Sequence, residues 1–556
     1  MERNRYADLL RVLAIGGVVY GHWLLVSVTY RDGQLGGVDA LNYVQWGRWV
    51  TWAFQVMPVF FLVGGYVNAM SWRAHSAAGE TWTVWVRDRV LRLLWPTAVY
   101  VVVAVAAVTV ARAAGAPAAE VAEAGWLIAL QLWFLPVYMV LIALTPPLLA
   151  AHRRWGIAVP VAMAAAAGLV SIAVTGPHVH VIGYANYLFV WGSIHQWGFF
   201  WLDGSLTSPR WRPYALAVGG GALLAGLVTS RSFMADMVGS GNTNPPSVAL
   251  LAYAAAQCGL VLAAEPAVSR LLSSDRRWHV VRRANSMVMN VYLWHFVPAI
   301  IIAVAFYSTG LLPQPGVGSA EWFALRLVWW ALLTVVLVPL VIAVTQAERP
   351  MLRLPAGLGP PGWWSPALLL AGVAIAGFGL IRLAIAGFAP GGSPPVLVLA
   401  ACAAGLLATL FTGRAPAQGS PEPARPPDLP EQPATAPRPI EEPAELPCTT
   451  TASPRRTGGL TPGRWLRQPY VYDRIVVTTI RTCPPGRSAD LTARNPVRVE
   501  NARAGLAHYT RNHARSHSPG RHRRCARAFT HRGRRGGVPP AQASGRRPLE
   551  GPVPVP

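Results

Sequence analysis

The chain has 556 residues, 53% of them hydrophobic and only 13% charged, which excludes an ordinary soluble domain of this length. The 48 basic residues are all arginine and outnumber 24 acidic ones, giving a formal net charge of +24, but about half of the arginines lie beyond residue 413. The charge is therefore partly a property of the tail, and an arginine-only composition does not by itself imply a nucleic-acid partner; none is expected.

Apolar runs of about twenty residues recur along the chain, the length a helix needs to cross a bilayer. They predict ten spans at roughly 9–30, 49–71, 93–113, 126–150, 156–175, 183–203, 213–230, 247–268, 286–308 and 322–346, with a further hairpin near 367–388 and 394–412. The expected fold class is all-α: a polytopic transmembrane bundle of ten core spans, an extra two-span hairpin and a disordered C-terminal tail. The expected divisions are 1–350 for the ten-span unit, 351–413 for the linker and hairpin, and 414–556 for a Pro/Arg-rich tail whose few apolar residues cannot offset chain entropy.

Loop charges set the orientation. With the N-terminus inside, Arg3, Arg5, Arg73, Arg153, Arg154, Arg276 and Arg277 fall on the cytoplasmic side, and few arginines fall opposite. The expectation is a multi-pass plasma-membrane protein with a cytoplasmic N-terminus and a retained first span. The five cysteines have no zinc or disulfide spacing, and no metal is expected.

The first span carries Arg11 and His22. Eleven residues at about 100° each overshoot three turns by about 20°, so both share one helix face, about 16 Å apart along the axis. Asp8 lies on the same stripe. Ionisable groups inside a span are costly and face protein or water, which marks the stripe as a site. A neutral His22 near mid-membrane suits a general base, with a nearby carboxylate holding its tautomer.

Before span three, Trp85-Val-Arg-Asp-Arg-Val-Leu-Arg places Arg87, Arg89 and Arg92 at the cytoplasmic entrance, a guanidinium cluster fit for phosphate. Positive-inside anchoring explains such clusters equally well. Phe60-Phe-Leu-Val-Gly-Gly-Tyr66 allows close helix approach. In span six, His195 and Gln196 could meet a polar acceptor. Tyr292-Leu-Trp-His295 could line a cavity or a helix contact, and Glu348-Arg-Pro350 reads as a helix end.

Taken in this order, these motifs resemble acyltransferase family 3, the polytopic bacterial membrane O-acyltransferases. The Asp-x-x-Arg start with Arg-x10-His, Arg87-Asp-Arg89, the Phe-Phe-x-x-x-Gly-Tyr run, Tyr292-Leu-x-His295 and Glu348-Arg-Pro350 carry the likeness over about residues 3–350. Gly64 stands where the family usually has Ser. No hydrolase-like nucleophile block follows.

The resemblance implies acyl-CoA, chiefly acetyl-CoA, as co-substrate, and a hydroxyl of a glycan, lipid-linked sugar, lipid or secreted metabolite as acceptor, with membrane lipids as surroundings. His22, Arg11 and Asp8 become the expected catalytic residues, and Arg87, Arg89 and Arg92 the expected donor-binding ones. A secondary transporter and an accessory subunit of an envelope-polymer pathway are the alternatives. A transporter would carry internal repeats and acidic residues in several spans, and neither is found.

Overall fold

The apolar runs become helices, and their ends follow local chemistry. The computed structural model describes residues 4–31, 34–44, 46–174, 180–230, 232–238, 240–349 and 363–412. The tail expected from 414 lies outside these residues, as does most of the connection before the last hairpin.

Helix α1 (Arg5–Leu25) starts at Asn4, whose side chain accepts from the amides of Tyr6 and Ala7, with Asp8 in the first turn. It stops sooner than the apolar run predicts. The β-branched alternation after Leu25 pairs as strand β1 (Val26–Arg31) with antiparallel β2 (Gln34–Asp39), Val26 opposite Asp39. The all-helical reading of 9–30 is corrected there: strand chemistry takes over once the helix ends.

The second apolar run is broken at Gln55–Val56 into α2 (Gly47–Phe54) and α3 (Met57–Ala77), with Pro58 in the first turn of α3. Next come α4 (Trp82–Ala113), the short α5 (Ala118–Leu127), α6 (Phe134–Trp155), α7 (Ala158–Ala173), α8 (Asn186–Leu202) and α9 (Trp211–Thr229). A single turn, α10 (Ser240–Thr243), precedes α11 (Val248–Leu271). Then α12 (Asp275–Trp294) breaks into α13 (Val297–Ile302) and a π-helical turn to Tyr307, and α14 (Ala320–Glu348), α15 (Ser365–Ala386) and α16 (Val396–Phe411) close the described fold.

Among the described residues, seven helical stretches are long and apolar enough to cross a membrane, and α12 with α13, bent by 54°, adds an eighth. The runs expected as spans five and twelve form helices of 16 residues and span six one of 17, short of that length. The molecule is a mostly helical, multi-pass membrane protein.

Helices α3 and α8 pack backbone to backbone. A Cβ on Gly65 would come 1.9 Å from the His195 carbonyl oxygen, and one on Gly198 2.3 Å from that of Leu62. Only glycine permits this backbone contact. Nearby, His152 at the end of α6 clasps Asp203 after α8 at 2.8 Å.

Candidate active site at the break in a spanning helix

The α12–α13 break builds the site. Pro298 sits in the first turn of α13 and cannot donate into α12, so the chain bends at His295-Phe296. Freed backbone groups inside a membrane must find partners. Here the Trp23 indole N–H donates to the His295 carbonyl at 2.8 Å, and His295 Nδ1 lies 2.7 Å from the Tyr292 carbonyl. Gln131 braces the same end through its amide to the Leu293 carbonyl at 3.0 Å, while Tyr292 donates its hydroxyl proton to the Gln131 carbonyl.

His295 Nε2 faces His22 Nδ1 at 2.9 Å. The His22 ring stacks against the adjoining His295 and Phe296 rings, with centroids 5.2 and 5.1 Å away. A carbonyl only accepts, so His295 carries its proton on Nδ1 and its Nε2 is a lone pair. His22 therefore donates from Nδ1, which leaves its Nε2 lone pair free. No hydrogen bond reaches that atom among the described residues. Two neutral imidazoles and a backbone carbonyl thus make a base of fixed tautomer.

His22 lies in the last turn of α1. One expectation changes: its tautomer is held by His295 rather than by a carboxylate, and Asp8 sits fourteen residues earlier, about 21 Å down the axis. Asp8 is buried and accepts from Asn285 of α12 at 3.0 Å. The last turn of α1 is capped by Arg326 of α14, which donates to the Trp23 and Val26 carbonyls at 3.4 and 3.5 Å and to Ser27 Oγ at 2.5 Å. A cation at a helix C-terminus also meets the dipole favourably.

The arginine cluster divides. Residues two apart on a helix point about 200° apart. Arg87 is 1% exposed and donates to Asp88 at 2.9 Å. Arg89 turns toward α3, donating to Asn68 Oδ1 at 3.3 Å and lying 5.5 Å over the Trp85 ring. Arg92, one turn on, is exposed. Arg89 is close enough to Arg92, Arg11 and Tyr138 to interact electrostatically. Among the described residues, Arg11, Arg89 and Arg92 pair with no carboxylate. Arg11 acts electrostatically on Arg89, while Arg87 is buried on another face of α4.

The remaining motifs lie inside the helix bundle. Gly64 leaves room for Tyr138, whose Cε2 would be 2.7 Å from an added Cβ. His195 and Gln196 are fully buried, the latter bonded to the Leu148 carbonyl at 3.2 Å. Glu348 is more than a helix end: it is buried and accepts from Asn290 at 2.9 Å, tying α14 to α12. Sequence reasoning passed over Gln131 and Asn68, whose only signal is an amide within an apolar span.

A family model described as an acyltransferase domain (Acyl_transf_3) matches residues 4–346. No curated protein and no solved structure matches the chain. The matched stretch is well over half of the chain and contains His22, its partner His295 and the facing arginines. The chain accordingly belongs to acyltransferase family 3, and the protein is a membrane enzyme that transfers acyl groups other than amino-acyl groups.

Proposed function

We propose that the enzyme moves an acyl group, acetyl first among candidates, from acyl-CoA to a hydroxyl of a glycan, lipid-linked sugar or secreted metabolite. It does so in the plasma membrane with its N-terminus in the cytoplasm. The observation that carries this reading is the free Nε2 lone pair of His22, held by His295. The acceptor hydroxyl gives its proton to that nitrogen as its oxygen attacks the thioester carbon. The C–S bond then breaks, the ester forms, and the thiolate of CoA leaves with the proton that His22 gives up, which returns the imidazole to its neutral form.

Arg89 feels the charges of Arg11 and Arg92, and none of the three pairs with a carboxylate among the described residues, an arrangement suited to an anion. In this reading Arg89, Arg92 and Arg11 meet the phosphates of the donor, while Arg87 is buried and paired with its neighbour Asp88. Arg11 lies about 16 Å from His22 along α1, a separation suited to an extended pantetheine arm. A cavity of about 110 Å³ beyond the end of α1, lined by Ser27, Tyr307, Gln314, Trp322, Arg326 and Trp329, suits one ring of a hydroxylated acceptor.

The test is label transfer from radiolabelled acetyl-CoA in membranes containing wild type, His22→Ala or Arg89→Ala. Label in an extractable glycan or lipid with wild type, reduced about 10²–10⁴-fold by His22→Ala at equal protein level, is the expected outcome. Full transfer by His22→Ala would remove the base assignment.

A further inference from the structure

Behind Arg89 lies a polar chain that no motif predicted. Asn68 of α3 and His195 of α8 are both 0% exposed, where Gly65 and Gly198 let the two backbones touch. Asn68 Nδ2 is 3.3 Å from His195 Nε2, and Asn68 Oδ1 is 3.3 Å from Arg89 Nη1.

The bonding has one consistent direction. A guanidinium only donates, so Asn68 Oδ1 accepts and its Nδ2 donates. His195 Nε2 must then be a lone pair with the proton on Nδ1, and Nδ1 has no hydrogen-bond partner among the described residues. An imidazolium would set N–H against N–H, so the chain closes only with neutral His195. The ring has no other bonded outlet: its one hydrogen bond orients Asn68, and Asn68 orients Arg89. Burying an amide and an imidazole is costly unless their bonds are made, and this chain ends on a cation without a carboxylate.

We propose that Asn68 and His195 are positioning residues that aim Arg89 at a phosphate of the acyl donor. The proposal rests on the donor reading above. A neutral amide takes one N–H of the guanidinium and leaves its charge and remaining donors for the ligand. A carboxylate at 68 would hold Arg89 equally well but neutralise it. Position 68 therefore separates holding the arginine from keeping it available.

The experiment measures CoA binding to the full-length protein in lipid nanodiscs, with melting temperature recorded for each variant and KM and kcat for acetyl-CoA wherever transfer is detected. Arg89→Ala is expected to weaken CoA binding by about tenfold or more, the scale of one charge-assisted contact. Asn68→Asp should match that loss while melting no lower than wild type, with the effect in KM rather than kcat. His195→Leu should weaken binding several-fold, and His195→Gln, whose amide oxygen can replace Nε2 as acceptor, should restore it to within about threefold. Should Asn68→Asp fail to fold, the two His195 variants carry the same test.

Wild-type affinity in Asn68→Asp, or equal weakening in His195→Leu and His195→Gln, overturns the positioning chain alone. Wild-type affinity in Arg89→Ala overturns the donor reading and the chain with it.

Discussion

Replacing His295 with Leu tests the dyad most directly. The substitution removes the acceptor 2.9 Å from His22 Nδ1, and the described residues offer no other. It keeps the backbone carbonyl that receives the Trp23 indole, so the α1 contact at the break survives. An unpaired buried N–H costs about 1–3 kcal/mol. The His22 ring can escape that cost by moving its proton to Nε2, which silences it as a base. At tenfold per about 1.4 kcal/mol, the rate falls by roughly 5–150-fold.

The assay is initial-rate transfer from labelled acetyl-CoA in membranes normalised for folded protein. His295→Gln, with an amide oxygen in reach, should recover most of the loss. The double variant His22→Ala/His295→Leu should be no slower than His22→Ala, because an orienting residue has nothing left to orient. Full activity in His295→Leu, or a double variant slower by the product of the single losses, would refute the dyad.

Two further outcomes follow from local geometry. Gly64→Ser should destabilise the purified protein by about 1–3 kcal/mol, because its Cβ meets Tyr138 at 2.7 Å, and Tyr138→Ala in the same chain should relieve that loss in a thermal melt. The hairpin gives a pH test through Glu123, which accepts from the Gly37 amide at 2.5 Å. Burial raises its carboxyl above the usual 4.5, with Gly37 pulling it down and Glu120 pushing it up. A raised acid binds its proton more tightly when folded. Hairpin docking should then be strongest below about pH 4.5 and weaken as pH rises through the raised value. Protection of the Gly37 amide, corrected for intrinsic exchange, should show that trend, and Glu123→Gln should abolish it.

Much of this protein is legible in short stretches of its sequence. The length of most apolar runs makes a helix able to span a membrane, and 3.6 residues per turn puts Arg11 and His22 on one face. Both are local properties, set by neighbours a few residues away. The same periodicity already separates Arg87 from Arg89, because two residues apart on a helix cannot share a face. Where α1 yields to a strand was written in the β-branched alternation from Val26, although the apolar run hid it.

What the sequence alone could not decide is which distant groups meet. His22 and His295 are 273 residues apart, and Asn68 and His195 are 127 apart. Their encounters depend on the angle of the α12–α13 break and on two glycines that let α3 and α8 touch. A hydrogen bond needs a few tenths of an ångström of placement, and only the packed set of helices supplies that. Periodicity names the face of a helix; tertiary contact decides what that face meets.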